Sequence, residues 1–284
     1  MYTLKVALEE AEAAIGRVDA QVLVCHALGV DRAHLVANPL RILRETEDAR
    51  IDMLVAQRAL GSPVAYLLGK REFWSREFSV TPDVLIPRPE TETLVEAALA
   101  RLAVAGHPGE GRGPITLLDL GTGSGAIAIT LALERRDAAV TATDASPAAL
   151  VVARANAHAL GALVEFVPGD WYCAVPGRAF DVIVSNPPYI AARDPHLALG
   201  DLRFEPPAAL CDGSDDGLAS LRMIVAGARA HLAPGGWLLL EHGHDQAEAV
   251  MRLLGEAGMA EAVSLPDLAG IPRVAAARAA PRAA

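Results

Sequence analysis

Ile115-Thr116-Leu117-Leu118-Asp119-Leu120-Gly121-Thr122-Gly123-Ser124-Gly125 reads as a strand that runs into a glycine-rich turn and opens a helix. Glycines permit such a turn. They also let a ligand approach the backbone at a helix N-terminus, where N–H groups lack helical partners. Downstream the pattern alternates. Strands are expected at Ile115–Leu120, Ala139–Asp144, Val164–Pro168, Phe180–Ser185 and Gly236–Glu241. Helices are expected near Ala126–Arg135, Pro147–Leu160, Asp216–Leu232 and Asp245–Ala257, and Val263–Leu265 with Val274–Ala277 make a final strand pair. Such alternation predicts an α/β fold, a parallel sheet with helices on both faces. Ligands bind these sheets outside the carboxyl ends of the strands. That rule gathers Gly121–Gly125, Asp144, Asp170-Trp171 and Asn186 at one rim.

Asn186-Pro187-Pro188-Tyr189 closes the strand Phe180–Ser185. Neither proline has an N–H to donate and both fix φ, so the sheet cannot continue and the backbone beyond is stiff. Alone, this would be a strand terminator. Its place about sixty residues after the glycine turn, on the same rim, makes it half of a candidate site. The turn by itself is ambiguous. Gly121-x-Gly123-x-x-Ala126 also fits a dinucleotide fingerprint, and Asp144 at the next strand end would suit the ribose of NAD.

The chain of 284 residues has room for about two domains. Its net charge of −10 argues against a nucleic-acid duplex as the main partner, for which a basic patch is expected. Cys25, Cys173 and Cys211 are scattered and odd in number, which indicates neither a disulfide framework nor a zinc site, so no metal is expected. A reducing, cytoplasmic setting fits. No signal peptide or membrane-length apolar run is read.

Before the alternating region lies a helical one. Thr3 is expected to cap a helix striped by Leu4, Leu8, Ala11 and Ile15 and ended by Gly16; Asp19 to start a second, Ala20 to Leu28, ended by Gly29. A short third covers Asp31 to Val36. A fourth runs from about Glu45 to Leu60 and stops at Gly61-Ser62-Pro63. Glu72-Phe73-Trp74 and Phe78-Ser79-Val80 then form a hairpin around Ser75-Arg76-Glu77. Pro87 and Pro89 bracket Arg88 in extended backbone. Glu90 or Thr91 opens a helix through Leu94, Val95, Ala98 and Leu102. His107–Pro114 is read as a flexible connection and Arg278–Ala284 as a frayed tail. The division expected is 1–72 helical, 73–90 hairpin linker and 91–284 α/β.

Asp119-x-Gly121-x-Gly123-x-Gly125, with Asp144 ending the second strand, resembles the S-adenosylmethionine site of Rossmann-like methyltransferases. Asn-Pro-Pro-Tyr resembles the motif of enzymes that methylate a nitrogen conjugated to an sp2 system. Taken with Gly69 to Trp74, Leu85-Ile86-Pro87-Arg88-Pro89-Glu90-Thr91-Glu92, Arg203-Phe204-Glu205-Pro206 and Glu241-His242-Gly243, the whole chain resembles the release factor glutamine methyltransferases. Ile271-Pro272 departs from that pattern, away from the rim. The resemblance implies a mostly parallel seven-stranded methyltransferase domain and an N-terminal domain that docks the substrate, a class 1 peptide chain release factor. It implies S-adenosyl-L-methionine as cofactor, S-adenosyl-L-homocysteine as product, a cytoplasmic monomer, and no membrane or direct nucleic-acid partner. Asp119, Gly121, Thr122, Gly123, Ser124, Gly125, Asp144, Asp170, Trp171 and Asn186 would hold the cofactor. Asn186, Pro187, Pro188 and Tyr189 would meet the glutamine side chain, with Asn186, Pro187 and Tyr189 in the catalytic roles.

The chemistry of that step can be reasoned from the residues. An amide nitrogen is a poor nucleophile because its lone pair is delocalised, and it carries two N–H donors. The Asn186 side-chain oxygen and the Pro187 carbonyl can accept both, which favours the positive charge that develops on nitrogen. Tyr189 could stack on the planar amide. No strong base is needed. His242 reads as a strand-end histidine rather than a base; Arg88, Glu90 and Arg203-Phe204-Glu205 either border the site or form ordinary salt bridges. The same acceptors fit the exocyclic amine of adenine, so a DNA or RNA methylase stays open. So does a non-catalytic or NAD-binding module.

Overall fold

The structure is a computed structural model that describes residues 2–104 and 113–280. The chain divides into two compact units. One is Met1–Arg71 with Ala198–Phe204; the other is Glu72–Leu197 with Glu205–Ala284.

The first unit is helical: α1 (Leu4–Ile15), α2 (Arg17–Leu28), α3 (Arg32–Ala37), α4 (Glu45–Ala59) and α5 (Val64–Leu68). Its core is Leu4, Ala7, Ala11, Leu23, Val24, Leu35, Ile51 and Leu54, the apolar stripes of helices facing inward. Thr3 stands at the N-cap of α1, but its side chain makes no capping bond. Gly16 both ends α1 and precedes α2, so Asp19 lies inside the first turn of α2 rather than before it. There its carboxylate accepts from Arg58 Nε at 2.7 Å, joining α2 to α4. Asp31 does cap α3, accepting from His34 N at 2.8 Å. Helix α5 was not anticipated. Pro63, a breaker for α4, is also an acceptable N-terminal residue for the next helix, and Gly69 closes that helix in left-handed backbone.

The second unit begins within β1 (Lys70–Phe73), which makes the hairpin with β2 (Arg76–Ser79), turning through Trp74 and Ser75 at φ 52° and 54°. Pro89–Thr91 forms one 3-10 turn before α6 (Glu92–Val104). The sheet then builds as β3 (Ile115–Leu120), α7 (Ala126–Glu134), β4 (Ala138–Asp144), α8 (Pro147–Leu160), β5 (Val164–Pro168) and β6 (Phe180–Ser185). It continues through α9 (Pro207–Leu210), α10 (Ala219–His231), β7 (Leu232–Glu241), α11 (Ala247–Glu256), β8 (Met259–Pro266) and β9 (Pro272–Ala279). The order is β5-β4-β3-β6-β7-β9-β8. Pairs from β5 to β7 are parallel; β9 runs antiparallel to both β7 and β8. From β3 the chain works outward to β5 and returns to β6 on the other side of β3. The β3/β6 junction is therefore the topological switch point, where ligands bind α/β sheets.

Each central strand feeds two cores. Leu117, Val182, Val184 and Leu239 pack with α6 and α7 through Leu94, Val95, Ile127 and Leu131. Leu118, Ile183, Leu238 and Leu240 pack with α10 and α11 through Leu221, Ile224, Val250 and Leu254. A sheet buried on both faces needs apolar residues at both parities, hence strands without polar alternation.

Several boundaries differ from expectation. Strand β7 begins at Leu232, four residues before Gly236, with a register shift against Phe180 and Val182 that accommodates Pro234 and Gly235. Helix α10 starts at Ala219 rather than Asp216, whose carboxylate accepts from Leu218 N and so belongs to the preceding loop. Arg278 and Ala279 pair within β9, so the tail is shorter than read. Residues 281–284, and 107–112 of the expected connection, lie outside the described residues.

Asn156 of α8 joins β2 to the glycine turn. Its Oδ1 accepts from Ser79 N at 2.8 Å, and its Nδ2 donates to Ser79 O at 3.0 Å and Ser124 O at 2.9 Å. The side chain is 2% exposed. Asn156→Ala leaves these groups unpaired and is expected to lower unfolding free energy by on the order of 2–4 kcal/mol in a urea titration. A loss under about 0.5 kcal/mol would contradict this role.

Candidate active site

At the switch point a cavity of about 270 Å³ opens over the carboxyl ends of β3, β4 and β6. Strand β3 ends at Leu120, and the amides of Gly121 and Thr122 both donate to Thr143 O of β4 at 2.9 Å, which folds the turn back over the sheet. Two glycines are demanded by packing. Gly121 has φ +72°, and a Cβ there would lie 3.3 Å from the Trp171 ring. Gly125 has φ +83°, and its Cβ would meet Ile129 Cδ1 at 2.7 Å and Ala153 Cβ at 3.2 Å, where α7 passes α8. Gly121, Thr122, Gly123 and Ser124 line the cavity; Gly125 does not, and serves helix packing.

Asp119 does not line the cavity either. It is fully buried beneath the turn, where its Oδ2 accepts from Thr122 Oγ1 at 2.6 Å. Burial pushes its carboxyl up to about 7, opposed by the Thr122 hydroxyl. Asp119 thus holds the turn rather than a ligand. Asp144, at the end of β4, is on the wall. Its Oδ2 accepts from Gly123 N and its Oδ1 from Ser146 N, each at 2.8 Å. Burial raises its pKa and the two N–H groups lower it. Each oxygen has a further lone pair beyond the bond it accepts, so a vicinal diol could be bound by a carboxylate that is already oriented. Asp170 lies exposed at the rim. Trp171 follows with φ +42°, a left-handed backbone for a bulky residue, and places its ring on the wall over Gly121. Backbone strain of this kind persists where the surroundings fix it, commonly at ligand clamps.

Of the Asn-Pro-Pro-Tyr stretch, Asn186 and Pro188 line the cavity. Pro187 is buried. Tyr189 packs against the core beneath α10 and α11, and its hydroxyl donates to Glu241 Oε1 at 3.2 Å. Burial raises the Tyr189 pKa strongly, with the Glu241 charge adding to it. The ring expected to stack on substrate does not line the cavity, and its hydroxyl is held by Glu241. Asn186 Nδ2 donates to Thr91 Oγ1 at 3.2 Å, which turns Oδ1 away from Thr91.

Arg88 lines the cavity and pairs with the buried Glu205, which also accepts from Ile86 N at 3.0 Å. Arg203 and Phe204 belong to the helical unit, where Arg203 donates to Leu60 O at 3.1 Å. Glu90 is exposed and off the wall. His242 is buried, its Nδ1 2.8 Å from Gly243 O, and burial lowers its pKa; it is a neutral strand-end side chain off the cavity. Sequence reasoning missed Val84, Ala208 and Ala209 on the wall and assigned Thr91 only a helix start. The Pro206-Pro207 pair before Ala208 was the available sign of α9, because proline favours a first helical turn.

Comparison with known proteins agrees along the chain. Residues 4–69 match the model of the PrmC N-terminal domain, and residues 112–204 that of the methyltransferase small domain. The chain is 53% identical to the release factor glutamine methyltransferase of Burkholderia pseudomallei, over 92% of this chain and 91% of that relative. It is 51% identical to that of Neisseria gonorrhoeae, over 91% and 92%. Among solved structures it is similar to a methyltransferase from Pyrococcus furiosus at TM-score 0.52, with 18% identity over 73% of this chain and 91% of that one. A 16S rRNA methyltransferase of T. thermophilus, solved with AdoMet and guanosine, matches at TM-score 0.50 with 23% identity, over 74% and 49%. These two share the fold.

Proposed function

Because this chain belongs to the release factor glutamine methyltransferase family, we propose that it methylates the side-chain amide nitrogen of the glutamine in the Gly-Gly-Gln motif of class 1 peptide chain release factors. It is an S-adenosylmethionine-dependent methyltransferase, and that cofactor supplies the electrophilic methyl. The observation that carries the reading is the placement of Asn186. It stands at the end of β6 on the cavity wall, one strand from the glycine turn, with its amide nitrogen tied to Thr91.

In this reading Asp144 holds the ribose hydroxyls, Gly121–Ser124 pass the methionine end, and Trp171 with Asp170 border the adenine. Asn186 Oδ1 accepts one N–H of the substrate amide and the Pro187 main-chain carbonyl the other. Acceptors fixed in advance stabilise positive charge on nitrogen without reorganising, and hold the nitrogen in line with the methyl. Pro188 contributes a rigid wall. Tyr189 works from behind the wall, through Glu241, rather than by stacking. The helical unit docks the release factor; Val36, Leu40 and Ile42, all more than half exposed within seven residues, are large apolar side chains available for it. No described helix is long and apolar enough to cross a membrane. A cytoplasmic setting is part of the proposal, and the three free thiols suit a reducing compartment.

Incubation with a purified class 1 release factor and cofactor, followed by peptide mass spectrometry, is expected to place one methyl on the motif glutamine. Transfer into plasmid DNA with none into release factor would overturn the proposal.

A further inference from the structure

Four charged side chains line the cavity: Asp83, Arg88, Asp144 and Asp170. Three are acids, and Arg88 is the one cation among the described lining residues. S-adenosylmethionine carries an α-carboxylate at its amino-acid end, so some donor on this wall has to meet a full negative charge. We propose that Arg88, held by Glu205, binds that carboxylate. The inference rests on this cavity being the cofactor site; it does not depend on which nitrogen is methylated.

The glycine turn has few donors left for the task. N–H groups at such a turn commonly cradle an anion, but here most of them bond inward. Gly121 N and Thr122 N donate to Thr143 O at 2.9 Å, and Gly125 N donates to Thr122 O at 2.9 Å. Gly123 N donates to Asp144 Oδ2 at 2.8 Å. The alternative donors are the amides that open α7, at Ala126 and Ile127 on the wall. A helix end presents only about half an elementary charge. A guanidinium presents a whole one, in a planar fork that matches two carboxylate oxygens.

Arg88 is also held in place. Pro87 and Pro89 flank it and restrict the backbone on either side. Arg88 O accepts from Thr91 N at 3.1 Å. Its Nη2 donates to Glu205 Oε1, while Glu205 Oε2 accepts from Ile86 N at 3.0 Å. The Glu205 side chain is wholly buried and that of Arg88 is 30% exposed. A carboxylate fixed to the main chain by one oxygen and to the guanidinium by the other restrains the arginine. A guanidinium has further N–H donors beyond the one that Glu205 takes, so a second anion can be bound beside the first. The position fits as well. Thr91, one turn further on, meets the Asn186 side chain, so Arg88 belongs to the acceptor flank of the cavity. On the roles proposed above Asp144 takes the ribose, and the amino-acid end is what remains for this flank.

Calorimetry with the purified full-length protein and two ligands tests the assignment. The ligands are S-adenosylhomocysteine and its decarboxylated analogue, S-adenosyl-3-thiopropylamine, which differs by the carboxylate alone. For wild type the analogue should bind roughly 10- to 100-fold more weakly, the range of a charge-assisted hydrogen bond. Arg88→Gln should raise the S-adenosylhomocysteine Kd by about that same factor and the analogue's by less than about threefold. Arg88→Lys keeps the charge without the fork and should fall between. Arg88→Gln leaves Glu205 buried without its cation, a change that can unfold a protein. The double variant Arg88→Gln with Glu205→Gln removes both charges and is the second form of the test, with a thermal melt to show that it is folded.

An equal rise for both ligands would make Arg88 a structural part of the wall. No rise for either would leave the carboxylate to the amides of α7. Either result overturns the assignment, as does a wild-type protein that binds the two ligands equally. Asp144→Asn marks the underlying reading, since it should weaken both ligands alike. If it weakens neither, the cavity is not the cofactor site and the role of Arg88 falls with it.

Discussion

Asn186→Ala is expected to lower kcat for release factor methylation by roughly 100- to 1,000-fold, the loss typical of deleting one preorganised polar group at a site of developing charge. The S-adenosylhomocysteine Kd should change little. The reason lies in what Asn186 does not touch. The turn Gly121–Ser124 is held by Thr143 O and by Asp144, and Trp171 packs against the apolar core. None of these depends on the Asn186 side chain, whose recorded partner is the Thr91 hydroxyl. Alanine removes one acceptor for the substrate nitrogen and leaves the cofactor surface standing. Single-turnover methyl transfer together with calorimetry separates the two effects. Turnover within about threefold of wild type would exclude Asn186 as the amide acceptor.

Gly217→Ala is the second large effect, and it acts from outside the cavity. Gly217 has φ +65°, and a Cβ there would lie 2.2 Å from Tyr189 O and 3.0 Å from Ala191 N. These are main-chain atoms, so no side chain can swing aside. The left-handed backbone alone costs a non-glycine residue about 1 kcal/mol. Relief of the overlap must move the chain just beyond Pro187 and Pro188, whose rigidity carries the shift to Asn186. Stability should fall by on the order of 3 kcal/mol or more, and kcat by more than tenfold in the folded fraction. Gly213→Ala is the control. It has φ +81° but nothing within 4 Å of its Cβ, so only the cost of about 1 kcal/mol is expected, with unchanged kcat. Equal effects of the two substitutions in denaturant titrations would show that the contact with Tyr189 O is unimportant.

The sheet was legible in the residues because its central strands are apolar at both parities and separated by helices of ordinary length. Ile115–Leu120, Val164–Pro168 and Phe180–Ser185 were read without error at either end. The outline of the site followed, since a strand-end position and a switch point bring Gly121, Asp144 and Asn186 together without further information. What could not be read was direction. Whether Tyr189 faces a ligand or the core depends on Glu241, 52 residues away. Asp119 looks like a cofactor residue by its motif, yet it lies under the turn because Thr122 claims it. Short elements were hidden for a related reason. In α5 and α9 a proline signals both an end and a beginning, and five or four residues show no helical period.

The side chain of Gln246 brings three distant parts of the chain to one point. Its Nε2 donates to Tyr189 O at 2.9 Å, Asp216 O at 3.2 Å and Gly217 O at 3.4 Å, while its Oε1 accepts from Gly243 N at 2.9 Å. The first of these spans 57 residues. The glycine turn and Asp144, by contrast, are 21 residues apart. Contacts closed over short loops form early, and those closed over long ones wait for the entropy of loop closure to be met. During synthesis the half of the rim proposed to hold the cofactor can thus take shape while Asn186-Pro187-Pro188-Tyr189 is still unanchored, and the proposed acceptor half is locked only when the segment after β7 has emerged and folded. On the proposed roles, capacity to bind the methyl donor precedes capacity to use it.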